Sequence, residues 1–130
     1  MQPYKFILID DVASNNLITK MNIRNVYPGS SVVAFTDARA GYDYIVEQYS
    51  KPGDHVPAIL LLDIYTPIMD AWQFLGKFDL LNESVKSKVS VYLLSSSIND
   101  DDGERAKADK NVSGYILKPI TEEVLKALTL

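Results

Sequence analysis

Acidic side chains directly follow two of the most apolar runs in this chain. Asp10 and Asp11 come after the run FILI, and Asp63 comes after ILLL. A carboxylate at the end of a buried strand is costly unless it is paired, and clustered carboxylates repel one another unless a cation lies among them. Ser95 and Lys118 also follow apolar runs. The sequence therefore places three acids, a hydroxyl and an amine at the ends of candidate strands.

These residue types favour a phosphoryl-accepting site built around a hard cation. The chain has no cysteine, and its one histidine, His55, lies in a predicted loop. Oxygen ligands suit Mg²⁺, which keeps several waters, or the similar Mn²⁺. The metal and Lys118 would neutralise charge developing on a transferred phosphoryl group. Asp63 would be the nucleophile, and the product would be an aspartyl-phosphate.

Each of these residues alone also has an ordinary structural interpretation. Asp10 and Asp11 stand before a predicted helix, where aspartate often serves as an N-cap. Asp63 suits a turn, the serines at 95–97 suit a loop, and Lys118 suits a solvated surface. All of them, however, fall at the C-termini of predicted strands, and no predicted strand begins with such a polar cluster. That coincidence favours one shared site.

The elements that would position these residues alternate regularly along the chain. Apolar runs predict five buried strands, at 4–10, 30–36, 57–63, 88–95 and 113–119. Helical spacing predicts helices at 14–27, 38–49, 71–81 and 121–130, and residues 99–109 form a short polar helix or a turn. Asp37, Asp70 and Thr121 are natural N-caps. The first helix is expected from the near-helical spacing of Leu17, Ile18, Met21 and Val26.

Strand followed by helix, five times, predicts an α/β fold with a parallel sheet and helices on both faces. The common strand order of a five-stranded doubly wound domain is 2-1-3-4-5, which reverses between strands one and three. Ligands bind at the carboxyl ends of the strands beside that reversal. Asp10, Asp11 and Asp63 are therefore expected to share one crevice.

Length and composition set the broad class. With 130 residues, 47% hydrophobic and 23% charged, the chain is expected to form a single domain over 1–130. The net charge of −4 argues against a dedicated nucleic-acid surface. The apolar run near the N-terminus is too short for a signal peptide or a membrane span, so we predict a cytoplasmic protein.

Four segments resemble the receiver domains of two-component response regulators. They are LIDD (8–11), LLLDIYTPIMD (60–70), LLSSS (93–97) and GYILKP (114–119), and the resemblance covers essentially the whole chain. It implies a flavodoxin-like (βα)5 fold that signals rather than acts as a conventional enzyme. Such a domain catalyses only its own phosphorylation and autodephosphorylation.

The resemblance implies a role for each matching residue. Asp63 matches the phosphoacceptor. Asp10, Asp11, Asp63 and the backbone carbonyl of Tyr65 match the metal ligands. Lys118 and Ser95 match the phosphoryl-binding residues. Ser95 and Tyr115 match the switch residues, with Ser96 as an alternative hydroxyl. The Lys118–Pro119 peptide bond matches one that is often cis in the family.

The implied partners are proteins. The resemblance implies a sensor histidine kinase or phosphotransfer protein as phosphoryl donor and a downstream protein target, with no direct nucleic acid and no membrane. It leaves homodimer formation open. Two rivals are a flavin-binding electron carrier, whose phosphate would be repelled by the acids of DDVAS, and a pseudo-receiver that binds proteins without taking phosphate.

Three departures from the family pattern carry expectations of their own. Ala71 stands where the family usually has glycine, and a backbone with φ > 0 there would be strained by alanine. The side chain of Tyr65 is bulky for its position. In the family, this position and that of Ser97 influence how water reaches the phosphoryl group. We therefore predict an altered autodephosphorylation rate. Ser95 replaces the more frequent threonine, which should preserve the hydrogen bond.

Overall fold

The computed structural model describes residues 4–53, 55–97 and 100–128, apart from the side chain of Asp100. Its strands are β1 (Lys5–Ile9), β2 (Ser31–Phe35), β3 (Ala58–Asp63), β4 (Val89–Ser95) and β5 (Val112–Leu117). Its helices are α1 (Ala13–Val26), α2 (Ala38–Tyr49), α3 (Ala71–Asp79), α4 (Glu83–Lys86), α5 (Asp100–Ala108) and α6 (Glu122–Lys126). Every strand pairing is parallel.

The sheet has the order β2-β1-β3-β4-β5, so the predicted fold and strand order are confirmed. The short helix α4, between α3 and β4, was not predicted. The segment at 99–109, left open between helix and turn, contains α5. No helix in the described parts of the chain is long and apolar enough to cross a membrane.

Alternate strand residues feed two apolar cores, one on each face of the sheet. On one face, Ile7, Ile9 and Leu60 pack with helices α2 to α5. On the other face, Phe6 and Leu8 pack with α1 and α6. Because β3 is buried on both faces along its whole length, it holds its last residue, Asp63, in a fixed position.

Side-chain caps begin three of the helices as predicted. The carboxylate of Asp37 accepts from the Ala40 amide at 2.7 Å, and the Thr121 hydroxyl accepts from the Val124 amide at 3.2 Å. Asp70 forms a full capping box with Gln73, which satisfies two backbone N–H groups at once. The cap of α3 therefore fixes the end of the loop that follows Asp63.

The predicted helix α1 is present, but most of its helically spaced apolar residues do not face the core. Leu17, Ile18 and Met21 are all more than half exposed, whereas Asn16 and Ile23 are the buried residues of this helix. The buried amide of Asn16 donates to the backbone carbonyls of Asp10 and Phe35, both at 3.1 Å. These two hydrogen bonds turn the Asn16 side of α1 towards the sheet, so Leu17, Ile18 and Met21 face solvent, whereas Val26 packs against the core.

Candidate functional site

The three acids meet where the strand order reverses. Asp10 follows β1, Asp63 ends β3, and these strands are neighbours in the sheet. One carboxylate oxygen from each of Asp10, Asp11 and Asp63 lies within 4.8 Å of the others. Asp10 and Asp63 are 4% and 8% exposed, whereas Asp11 is exposed to solvent. The result is an acidic pocket with two buried members and one open side.

Lys118 lies between the two buried carboxylates. Its Nζ donates to Asp10 Oδ2 at 2.8 Å and to Asp63 Oδ2 at 3.1 Å. The Lys118 side chain itself is only 16% exposed. Removing charges from water is unfavourable, and close pairing with good geometry offsets that penalty. Lys118 therefore binds the two acids into one ion-pair network.

The pKa values of Asp63 and Lys118 shift in directions that follow from their burial and their pairing. Burial raises the pKa of Asp63 above its usual value, Lys118 opposes that rise, and Asp10 and Asp11 add to it. Burial lowers the pKa of Lys118, but its hydrogen bonds and charge interactions with Asp10 and Asp63 outweigh burial and leave that pKa raised. The lysine is thus held as a cation at neutral pH.

The loop carrying Asp10 is held by residues that the sequence analysis did not single out. Asp10 Oδ1 accepts from the Val12 amide at 2.9 Å, and the Asn15 amide lies 3.4 Å from Asp10 Oδ2. Asn16 anchors the Asp10 carbonyl from the buried side of α1. The signal available in the sequence was a pair of asparagines within one helical turn of the acids.

The loop after Asp63 contains a strained turn. The Met69 amide donates to the Pro67 carbonyl at 2.8 Å, and Ile68 between them has φ 74°. This combination is a γ-turn of the strained type, and a β-branched residue adopts it at an energetic cost. The buried Thr66 hydroxyl, which donates to the Met69 carbonyl at 2.7 Å, stabilises the loop.

The positive φ that alanine would strain does not occur at Ala71. Ala71 is the fully buried first residue of α3, and its amide donates to the Ile64 carbonyl at 2.8 Å. The only non-glycine residue with positive φ in the described parts of the chain is Ile68. The loop turns back at Ile68, three residues earlier, and Ala71 can therefore begin a regular helix.

The residues matched to the switch lie on the β4 and β5 side of the pocket. Ser95 is buried at the end of β4, and its hydroxyl donates to the Ser97 carbonyl at 2.6 Å. Ser96 is exposed and lines a cavity beside Asp10 and Lys118. Ser95 therefore ends β4 at the same edge of the sheet as Asp63, and its hydroxyl is engaged with its own loop.

The other two matched side chains lie near α5. The Tyr115 ring packs against the core on the α3 side, and its buried hydroxyl has no hydrogen-bond partner among the described residues. Tyr65 is 60% exposed, and its hydroxyl donates to Asp102 of α5 at 2.9 Å. The Lys118–Pro119 peptide bond is cis.

An apolar-lined cavity of about 290 Å³ adjoins the acidic pocket on the α1 side. Asp10 and Lys118 line its polar wall, and Ile18 and Pro119 are among its apolar lining residues. Leu17, Ile18 and Met21 of α1 are exposed and are called here the α1 patch, and Ile18 of this patch lines the cavity. Apolar surface thus lies directly beside the acidic pocket.

Comparison with known proteins shows what this chain is similar to. No family model matches the sequence. A two-component response regulator from Cytophaga hutchinsonii is 28% identical, with a TM-score of 0.86 over 97% of this chain and 93% of that chain. A response regulator receiver protein from Dyadobacter fermentans DSM 18053, at 23% identity, shares the fold with a TM-score of 0.82 over 95% and 92% of the two chains.

A curated relative agrees with these structures. The probable methanogenesis regulatory protein FilR2 of Methanothrix harundinacea (strain 6Ac) is 25% identical over 124 residues, which are 95% of this chain and 77% of that protein. The fold, the strand order and these similarities extend over almost the whole chain. They show that it has the fold of response regulator receiver domains and is similar to them over almost its whole length.

Proposed function

We propose that this chain is the phosphoacceptor of a two-component phosphorelay, and that Asp63 receives the phosphoryl group. The observation that carries the proposal is the meeting of Asp10, Asp11 and Asp63 within 4.8 Å, with Lys118 Nζ on two of the three. A sensor histidine kinase or a phosphotransfer protein would donate from a phosphohistidine. An Asp63 oxygen attacks phosphorus, the O–P bond forms as the P–N bond breaks, and the electron pair of that bond stays on the imidazole nitrogen.

The chain's own residues are suited to this transfer. Lys118 Nζ, already 3.1 Å from Asp63 Oδ2, would donate to an oxygen of the transferred group. Asp10 keeps that ammonium in place at 2.8 Å. Ser95 would exchange its bond to the Ser97 carbonyl for one to the phosphoryl group. The hard oxygen donors of Asp10, Asp11 and Asp63, with the Tyr65 carbonyl, fit Mg²⁺ or Mn²⁺, which would neutralise charge on the phosphoryl oxygens.

The phosphoryl donor must approach Asp63 from the open side of the pocket, and we assign its docking to the α1 patch. Ile18 is 56% exposed and lines the same cavity as Asp10 and Lys118. A protein that carries a phosphohistidine beside an apolar helix face would cover this patch as its imidazole reaches Asp63. A downstream protein target would then recognise a surface that the phosphoryl group alters, in a cytoplasmic setting.

One observation favours the alternative of a pseudo-receiver. Lys118 Nζ already pairs with both Asp10 and Asp63, which offsets part of the repulsion between these acids without a metal or a phosphoryl group. Such a module would bind a protein partner through the same fold and never take phosphate. The two functions differ in one observable property, which is whether Asp63 forms an adduct.

Beryllofluoride with Mg²⁺ separates these functions, because it mimics a phosphoryl group on a carboxylate. We expect a bound-fluoride signal in the fluorine NMR spectrum of the wild type, its loss in Asp63→Asn, and its retention in Asp70→Asn, which keeps an N-cap in the same loop. A wild type without a bound signal would contradict the phosphorelay proposal and favour the pseudo-receiver.

A further inference from the structure

The side chain of Tyr65 joins the loop after β3 to helix α5. Its hydroxyl donates to Asp102 at 2.9 Å from Oδ2 and 3.1 Å from Oδ1. Asp102 is 7% exposed, whereas Tyr65 is 60% exposed. The ring is therefore mostly in solvent, and its tip is fixed on a buried carboxylate 37 residues away in sequence. A hydrogen bond to a charged acceptor is stronger than one between neutral groups.

Helix α5 has little apolar surface to hold it in place. Its sequence is DDDGERAKA, and Ala106 is its one residue in the buried core among those described. An alanine buries a small apolar area, so polar and ring contacts have a larger share in fixing this helix. Besides Tyr65–Asp102, one such contact is Arg105, whose guanidinium lies 4.3 Å from the centre of the Trp72 ring.

The same residue, Tyr65, has its main chain in the acidic pocket. It follows Asp63 by two positions, and under the proposed function its carbonyl is a metal ligand. Helix α5 in turn lies against the switch aromatic, since a Cβ added at Gly103 would be 3.9 Å from the Tyr115 ring. Tyr65 is thus placed between the phosphoacceptor site and the element that packs on Tyr115.

We propose that the hydrogen bond from Tyr65 to Asp102 transmits the state of the phosphoacceptor site to helix α5. The main chain of Tyr65 shifts when the site is filled, and its side chain carries that shift to Asp102. Tyr65 is therefore a positioning residue, separate from any influence of its ring on access of water. The part of this inference that concerns the filled site rests on the proposed function. The contact of Tyr65 with α5 is a property of the free protein.

The test in the free protein is hydrogen exchange of the α5 backbone amides. Tyr65→Phe removes only the hydroxyl and keeps the ring and the carbonyl. We expect amides in α5 to exchange about tenfold faster in Tyr65→Phe, as expected for loss of one charge-assisted hydrogen bond. Tyr42→Phe is the matched control, because the Tyr42 hydroxyl donates to the Lys77 carbonyl away from α5, and its α5 exchange should equal that of the wild type. Unchanged α5 exchange in Tyr65→Phe would overturn the proposal.

The test in the filled site uses Trp72, the single tryptophan of the chain, as a reporter of α5 through Arg105. With Mg²⁺ and beryllofluoride, we expect Trp72 fluorescence to change in the wild type and to change by less than half as much in Tyr65→Phe, at equal adduct occupancy by fluorine NMR. An equal Trp72 response at equal occupancy would contradict the proposed transmission. A wild type that forms no adduct would contradict the proposed function instead, and the exchange experiment would still decide whether Tyr65 holds α5.

Discussion

Helices α1 and α3 both follow acidic residues of the pocket, yet they are built in opposite ways. Helix α3 begins with the Asp70 capping box and buries Phe74, Leu75 and Phe78. Helix α1 has Val12 as its N-cap residue without a side-chain cap, buries Asn16 and Ile23, and exposes its apolar patch. The difference teaches that α3 supplies core packing, whereas α1 holds the Asp10 loop and leaves apolar surface beside the pocket.

The largest expected effect is on the packing of α3. Phe74 is fully buried and stacks on Phe78 with ring centroids 5.9 Å apart. Phe74→Ala should lower the free energy of unfolding by about 4 kcal/mol, because it removes apolar burial and leaves a cavity. Urea unfolding measures this loss. Leu80→Ala, at a residue 85% exposed just after α3, is the control, and a comparable loss there would contradict the assignment of α3 to the core.

A smaller loss in the free energy of unfolding is expected for α1, which the polar side chain of Asn16 anchors to the sheet. Asn16→Ala removes the donor to the carbonyls of Asp10 and Phe35 and should lower the free energy of unfolding by about 2 kcal/mol. It should also weaken Mg²⁺ binding, since Asp10 loses its support. Asn25 also lies on α1, and Asn25→Ala, which breaks an exposed contact with Glu122 of α6, should change neither quantity. Equal effects of both variants would remove the distinction between the buried and exposed sides of α1.

The N-cap of α3 is expected to contribute less to the free energy of unfolding than the buried side chains of this helix. Asp70→Ala breaks the capping box and should lower the free energy of unfolding by about 1 kcal/mol, whereas Asp70→Asn should nearly preserve it. Thermal unfolding of the two variants gives the comparison. If alanine and asparagine are equally destabilising, the Asp70 carboxylate acts through something other than the cap.

The smallest effect on stability is expected at the α1 patch. Ile18→Ala should change the free energy of unfolding by less than about 0.5 kcal/mol, since Ile18 is mostly exposed and alanine favours helix. Phosphotransfer from a phosphohistidine-carrying protein should slow by about tenfold, as for truncation of an interface residue worth 1–2 kcal/mol. Phosphorylation by acetyl phosphate, which needs no docking, should keep its wild-type rate. Equal slowing with both donors would place Ile18 in the chemistry and contradict the docking assignment.

The sheet was predictable because buried parallel strands produce continuous apolar runs, as in ILLL before Asp63. The convergence of Asp10, Asp11 and Asp63 followed from strand order alone. The buried face of α1 could not be predicted, because periodicity shows which residues share a face and cannot show which face is buried. That choice depended on backbone carbonyls of the Asp10 loop and of Phe35, to which the side-chain amide of Asn16 donates.

Loop conformation was the other part that the sequence could not determine. The positive φ fell on Ile68 instead of Ala71 because a hydrogen bond from the Met69 amide to the Pro67 carbonyl closes the turn earlier. The bond from Tyr65 to Asp102 joins residues far apart in sequence, and no local pattern indicates it. Local patterns predicted where chemistry could occur, and tertiary contacts determine how the surrounding loops hold it.

The most direct test of the central claim is the intact mass of the protein after incubation with acetyl phosphate and Mg²⁺. The account predicts that the wild type gains the mass of one phosphoryl group, that Asp63→Asn gains none, and that Asp70→Asn behaves as the wild type. A wild type that gains no mass, or an Asp63→Asn protein that gains as much, would contradict the assignment of Asp63 as the phosphoacceptor.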